Sequence, residues 1–165
     1  MPDKKVIDKQ NHKNYHYCKK LVHDGVLVTR IEYLPECRKT GSSRTSFKAN
    51  VIWDYPAVAV TSFDINGKFS CSNYSRSVYA LSYNKVLSAK LNILDPHKQI
   101  GDNRCGNIIG HCAEPHAANR TMNEFFKKHH SYMPLASVFF SVALRPRTLE
   151  IISSCQNCKD TFPNL

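Results

Sequence analysis

Three cysteines and one glutamate carry the reactive chemistry of this sequence: Cys112, Glu114, Cys155 and Cys158. Two cysteines separated by two residues at a helix start can both point at one ion. A third thiol from a separate element makes a three-ligand site and leaves the fourth position open. Three protein ligands plus water is the pattern of catalytic zinc, whereas structural zinc is usually closed by four. Glu114 follows Cys112 by two residues. Such a pair does not share a helix face, but at a helix start one side chain can hold the ion while the other reaches water beside it. A carboxylate there takes a proton from water and delivers it to a leaving amine. The chemistry expected is metal-assisted hydrolysis. A structural zinc site, or three buried free thiols, is the alternative that these residue types leave open.

The elements that position these groups can be read around them. Pro115 is accepted only in the first turn of a helix, where its missing N–H costs nothing. A helix is therefore predicted from about Ala113 to His129, with Cys112 and Glu114 at its start. Leu135 to Leu144 is a nearly continuous apolar run and predicts a fully buried strand. Pro146 ends it, and a short last helix begins near Cys155. Upstream, Asn50 to Tyr74 predicts a hairpin. Val58, Val60 and Phe63 lie on one arm, Phe69 and Cys71 on the other, and Asn66-Gly67 makes a tight turn. Val78, Leu81, Val86 or Leu87 and Leu91 recur at helical spacing, so residues 76–94 read as an amphipathic helix ended by Asp95-Pro96. Residues 95–111 read as a Gly/Asn-rich loop, Val26–Tyr33 as a strand, and 35–46 as a basic loop. Residues 1–20 are polar and read as frayed or loosely attached. Helices alternating with strands predict an α/β chain with a central sheet. Residues 1–50 are expected to be a basic N-terminal extension and 51–165 the catalytic domain.

Composition bounds what the chain can do. Its 165 residues suit one domain with a substantial core, and 42% hydrophobic residues argue against disorder. No run of about 18 apolar residues exists, so no membrane span is expected. The opening MPDKKVIDKQNHKNY lacks the apolar stretch of an export signal. The formal charge is +10, from 23 Lys+Arg against 13 Asp+Glu, and residues 1–55 supply half of it with 11 basic and 6 acidic side chains. A polyanionic substrate or partner is the natural reading, because each neutralised phosphate releases a counterion. A solvated basic surface is the plainer one. Seven cysteines, an odd number with one CxxC, favour thiols or metal over a disulfide framework.

The segments GHCAEPHAANR and SSCQNC together resemble the cytidine-deaminase-like superfamily. In zinc deaminases a His or Cys, one residue, a Glu and a distant Cys-x-x-Cys form the site. Cys-Ala-Glu-Pro with a late Cys-x-Asn-Cys is most similar to the YwqJ-type deaminases of bacterial polymorphic toxins. The likeness covers about residues 55–162 and includes VAVTSFDINGKFSCSNYS, which resembles the first two strands of cytidine deaminases. The resemblance implies a three-layer fold with a central mixed sheet and helices packed on both faces. It implies zinc on Cys112, Cys155 and Cys158, with Glu114 as the proton shuttle. It implies that Asn73 contacts a sugar. Ser154 departs from the family, which carries Pro before CxxC. Some 30 extra residues separate the hairpin from Cys112, and no room is left after Cys158 for the usual final strand; either residues 26–34 fill that edge or the chain is truncated. A toxin domain would act in the cytoplasm after delivery within a secreted protein, and would have an immunity protein as partner.

Three functions follow as expectations. The first is deamination of cytosine in nucleic acid, DNA or RNA, with adenine able to follow the same path. The second is deamination of free cytidine, deoxycytidine or nucleotides. The third is a zinc-stabilised nucleic-acid-binding module without catalysis. Other residues take lesser places. His111 and His116 flank the motif and either line the pocket or lie at the surface. Arg104 and Arg120 could balance three thiolates, or Arg120 is a solvated helix residue. Cys105, in the loop before the site, either enters the pocket or is an ordinary thiol, and Lys127, Lys128, His129 and His130 read as a solvated helix end. Lys39, Arg44 and Lys48, with Phe47 and Trp53, form either a phosphate-and-stacking surface or a plain basic loop.

Overall fold

The polar N-terminal stretch forms a helix. The computed structural model describes residues 1–33 and 47–165, and helix α1 spans Lys4–Asp24. Asp3 caps it by accepting from the Lys5 N–H at 2.7 Å. Its buried residues are Gln10, Asn14, Cys18 and Leu21, which repeat on one face. This corrects the expectation of a loose tail. The Asn14 side chain donates to the carbonyls of Ala59 and Val142 at 3.1 and 2.9 Å, while Cys18 and Leu21 pack on Ala59. Those contacts cross the expected boundary near residue 50.

Strand β1 (Val26–Tyr33) forms where a strand was expected, and pairs antiparallel with β2 (Phe47–Asp54). The two make a sheet of their own, so residues 26–33 do not fill an edge of the central sheet. The basic loop at 35–46, with Lys39 and Arg44, lies outside the described residues.

The central sheet has the order β4-β3-β7, with β3 at Ala59–Phe63, β4 at Ser70–Tyr74 and β7 at Phe139–Phe140. Both of its pairings are antiparallel, which corrects the expected mixed sheet. The reason is local: β4 folds back on β3 through a short turn, and β7 enters beside β3 from the opposite end. The turn at Asn66-Gly67 is present but longer than a two-residue hairpin. Asp64 and Phe69 close it with reciprocal bonds, the Asp64 N–H to the Phe69 carbonyl and the Phe69 N–H to Asp64 Oδ1. The Gly67 N–H donates to the Asp64 carbonyl with φ at +65°, a conformation that glycine adopts without penalty.

Helices cover both faces of this sheet. On one face α1 meets Ala59 and Thr61. Thr61 Oγ1 lies 2.6 Å from Ser72 Oγ and donates to Asn14 Oδ1. On the other, α3 (Ala113–His129) meets Val60 and Ser62. Ala113 and Ala117 pack on Val60, and Thr121 Oγ1 lies 2.6 Å from Ser62 Oγ. All five residues of β3 are buried, as a strand between two helices requires.

Two predicted elements are shorter than expected. Within 76–94 only α2 (Lys85–Leu91) is helical, because Asn84 caps it by accepting from the Val86 N–H. Asn119 Oδ1 holds the Asn84 N–H at 2.6 Å and fixes that start. Val78 and Leu81 are 61% and 103% exposed, so their helical spacing has no buried face behind it. The apolar run 135–144 opens with a 3₁₀ turn at Leu135–Ser137 and is regular strand only at β7. Its pairing with β3 continues irregularly through Ser141 and Leu144. A short pair follows α2, β5 (Asn103–Arg104) with β6 (Asn107–Ile108). The last helix, α4 (Gln156–Thr161), joins the main core through Cys158 and Phe162, beside Leu87, Leu91, Met122 and Val138.

Candidate active site

Cys112 is the N-cap of α3 and Cys155 the N-cap of α4, and neither side chain caps its helix. Both thiols are therefore available to something else. Cys112 Sγ lies 3.3 Å from Cys155 Sγ, and Cys155 Sγ lies 3.6 Å from Cys158 Sγ. All three sulfurs fall within 4.8 Å of one another. Sulfurs bound about 2.3 Å from one tetrahedral ion stand roughly 3.8 Å apart, so the cluster has the dimensions of a three-ligand metal site. Three cysteines in this arrangement could hold a metal ion. The helix at Ala113–His129 predicted from Pro115 is what brings Cys112 to the CxxC pair.

Glu114 is 4% exposed, and the Cys158 thiol donates to its Oε2 at 3.5 Å. Burial pushes its carboxyl above the ordinary range, and a hydrogen bond from Ser154 partly offsets this. Ser154, the departure from the family pattern, thus supports the carboxylate. The thiols share their protons unequally. Cys112 is pushed up to about 12, chiefly because it donates to Cys155, and Cys158 is also raised by its bonds to Cys112 and Cys155. Cys155 is lowered, because both neighbours donate to it. The cluster favours one thiolate at Cys155, the beginning of a metal-binding charge.

These groups open on a cavity of about 260 Å³. Cys112, Cys155 and Glu114 line one wall, Val58, Ile108 and Ile152 are apolar surfaces, and Arg76 and His111 are polar groups at the same cavity. An apolar cleft with few polar groups fits a flat ring. Burial lowers the His111 pKa. His111 lines this cavity, as the sequence allowed.

The other sequence-predicted residues fall elsewhere. Asn73 is buried and does not line this cavity. It donates to the His116 carbonyl at 3.3 Å and accepts from Arg76 Nη2 at 3.2 Å, so it holds Arg76 in place. His116 is 5% exposed and lines a second cavity behind Arg76. Its pKa is pushed down to about 4 by burial first, then by Arg76 and His111. Arg104 does not balance the thiolates. It binds Asp160 at 2.8 Å and Asn157 Oδ1 at 3.0 Å, and so ties the β5–β6 pair to α4. Asn157 completes that clamp by donating to the carbonyls of Arg104 and Asn107. Arg120 lines the second cavity, away from the sulfurs. Cys105 is exposed and lines none of these cavities. Lys48, Phe47 and Trp53 belong to the expected surface whose side chains lie outside the described residues.

No family model, curated protein or solved structure matches the chain.

The roles of three residues near this centre escaped sequence reasoning. Arg76 reaches the cavity from the loop after β4, where a helix was predicted. Asn157, between the two cysteines, clamps the neighbouring hairpin, and Ser154 binds the glutamate. The one readable signal was Asn157, because a polar side chain inside a CxxC at a helix start is already placed beside the cysteine cluster.

Proposed function

We propose that this chain is a zinc-dependent hydrolytic deaminase that converts cytosine to uracil in nucleic acid, in the manner of the cytidine-deaminase-like superfamily. The observation that carries the reading is the buried Glu114 carboxylate beside Cys158, opening with Cys112 and Cys155 onto one ring-sized cavity. Cys112, Cys155 and Cys158 would hold the ion, and a thiolate-rich set suits zinc among the divalent metals. Zinc bound there would supply the Lewis acidity that makes water nucleophilic near neutral pH.

The remaining work falls to the chain. Glu114 takes a proton from the water that adds at C4 and gives it to ring N3. It then carries a second proton from the new hydroxyl to the exocyclic amine, which leaves as ammonia. The raised carboxyl suits a group that must both accept and donate near neutral pH. Val58, Ile108 and Ile152 exclude water from the ring. The basic balance of +10 supports a phosphate-bearing substrate, and the likeness to YwqJ-type domains supports a toxin role.

The test is deep sequencing of mixed single- and double-stranded DNA and RNA oligonucleotides after incubation with the zinc-loaded protein, with Glu114→Gln as control. Cytosine reading as thymine with the natural protein alone is the expected result. Unchanged oligonucleotides, with ammonia released from cytidine, would move the reading to free nucleosides. No reaction with any of these, and Glu114→Gln indistinguishable in binding, would leave a zinc-stabilised binding module.

A further inference from the structure

The loop after β4 presents an apolar and aromatic edge beside two arginines. Val78, Tyr79 and Leu81 stand 61%, 47% and 103% exposed, an unusual density of apolar surface for eight consecutive loop residues. They line a cavity of about 300 Å³ with Arg76, His116 and Arg120. No carboxylate lines it, and neither arginine makes an ion pair among the described residues. His116 Nε2 in this wall is buried without a hydrogen-bond partner among the described residues. Arg76 lines this cavity and the cavity of Glu114 as well, so the two are adjacent. Asn73 Oδ1 accepts from Arg76 Nη2, and the Arg76 guanidinium lies 4.4 Å from the Tyr74 ring centroid, which holds it at this junction.

Two guanidinium groups with no ion-pair partner among the described residues, beside an exposed tyrosine ring, match one ligand chemistry. Phosphates neutralise the arginines, and an unstacked base covers the ring. A duplex offers phosphates but keeps its bases stacked on one another. A protein surface offers no regular phosphate spacing. We infer that this second cavity is a subsite for single-stranded polynucleotide, with Arg76 and Arg120 on backbone phosphates and Tyr79 under a base flanking the one held at Glu114. The inference rests on the deaminase reading for the identity of the central base, but strand binding itself does not need catalysis.

Arg120 separates the subsite from the active site, because it lines only the second cavity. The experiment is fluorescence anisotropy of a fluorescein-labelled, cytosine-containing DNA single strand against the zinc-loaded protein over a salt series. Arg120→Ala and Arg120→Glu lie on an exposed helix position and are checked for folding by circular dichroism. Each is expected to weaken binding and to reduce the slope of log K against log salt by about 0.7, the single-strand value for one phosphate. Tyr79→Ala is expected to weaken binding about tenfold with the slope unchanged, the signature of lost stacking. Slopes and affinities unchanged in both Arg120 variants would overturn the inference, as would a duplex bound more tightly than the single strand. Arg120-dependent binding by a protein that converts no cytosine would retire the deaminase reading and leave the subsite standing.

Discussion

His116 gives a prediction whose size can be worked from its surroundings. The imidazole is 5% exposed, and burial, Arg76 and His111 hold it near pKa 4. In the unfolded chain it titrates near 6.5. The folded state therefore refuses a proton that the unfolded state accepts. The associated stability is complete above about pH 6.5 and is lost as pH falls towards 4. Linkage puts the loss at about 2 kcal/mol by pH 5 and about 3 kcal/mol by pH 4, relative to pH 8. With a urea dependence near 2 kcal/mol/M, the midpoint should drop by roughly 1 M at pH 5 from this group alone. Other groups titrate over the same range, so the measurement is a difference. Urea unfolding of the natural protein and of His116→Gln is followed from about pH 8 to 4.5 under identical salt. The variant costs some stability at pH 8, and that cost should shrink or reverse as pH falls. A stability difference that stays constant across the range would refute the reasoning, because it would mean that His116 titrates normally in the fold.

Glu114→Gln should lower deaminase turnover by about 10² to 10⁴, the usual worth of a general acid–base, with bound zinc per chain unchanged by elemental analysis. A drop in zinc content would instead make Glu114 part of metal retention. On the proposed function, zinc should raise the melting temperature of the natural protein, a stabilisation of about 2.7 kcal/mol at a hundredfold excess over Kd, and Cys158→Ser should abolish that rise. An undiminished rise in calorimetry would mean that the ion binds elsewhere. Asn14→Ala removes both donors that tie α1 to the Ala59 and Val142 carbonyls, and should cost about 2–4 kcal/mol and lower the urea midpoint by roughly 1–2 M. A midpoint within experimental error of the natural protein would show that α1 docks without this bond.

How much of this was legible depends on where each element's stability resides. The start of α3 could be read to within a turn because Pro115 is tolerated only in the first turn of a helix, and it stands there as the third helical residue. The three sulfurs and Glu114 followed from that start, and the structure brings them together as their spacing suggested. The β3–β4 hairpin was visible in its Asn-Gly turn, though Asp64 and Phe69 lengthen it. Helix α1 was hidden because two of its four buried residues are Gln10 and Asn14, and no apolar period marks a face secured by polar bonds. The opposite error occurred at 76–94. Val78 and Leu81 supplied an apolar period, but Asn84 is bonded to Asn119 and Asn123 from a distant helix, and that anchor starts α2 late. Asn73 could not be placed at all from sequence, because its role is to hold Arg76, a residue three positions on that turns back across it. Arg104 sits in a hairpin whose position is set by Asn157 more than fifty residues later, so no local signal could separate it from a counter-ion of the thiolates.

The hydroxyl pairs on β3 bear on how such a short sheet keeps one alignment. Thr61 faces α1 and binds Ser72 and Asn14, while Ser62, the next residue, faces α3 and binds Thr121. A slip of one residue exchanges the two faces of a strand. Val60 would then confront the Asn14 amide and Thr61 the alanines of α3, which leaves polar groups stranded on both sides at once. Apolar replacements at these positions would preserve burial and erase that distinction. The hydroxyls thus work as a two-sided key whose teeth point in opposite directions. Because α3 packs on β3 and starts just after Cys112, the same key also sets where that thiol stands beside the other two.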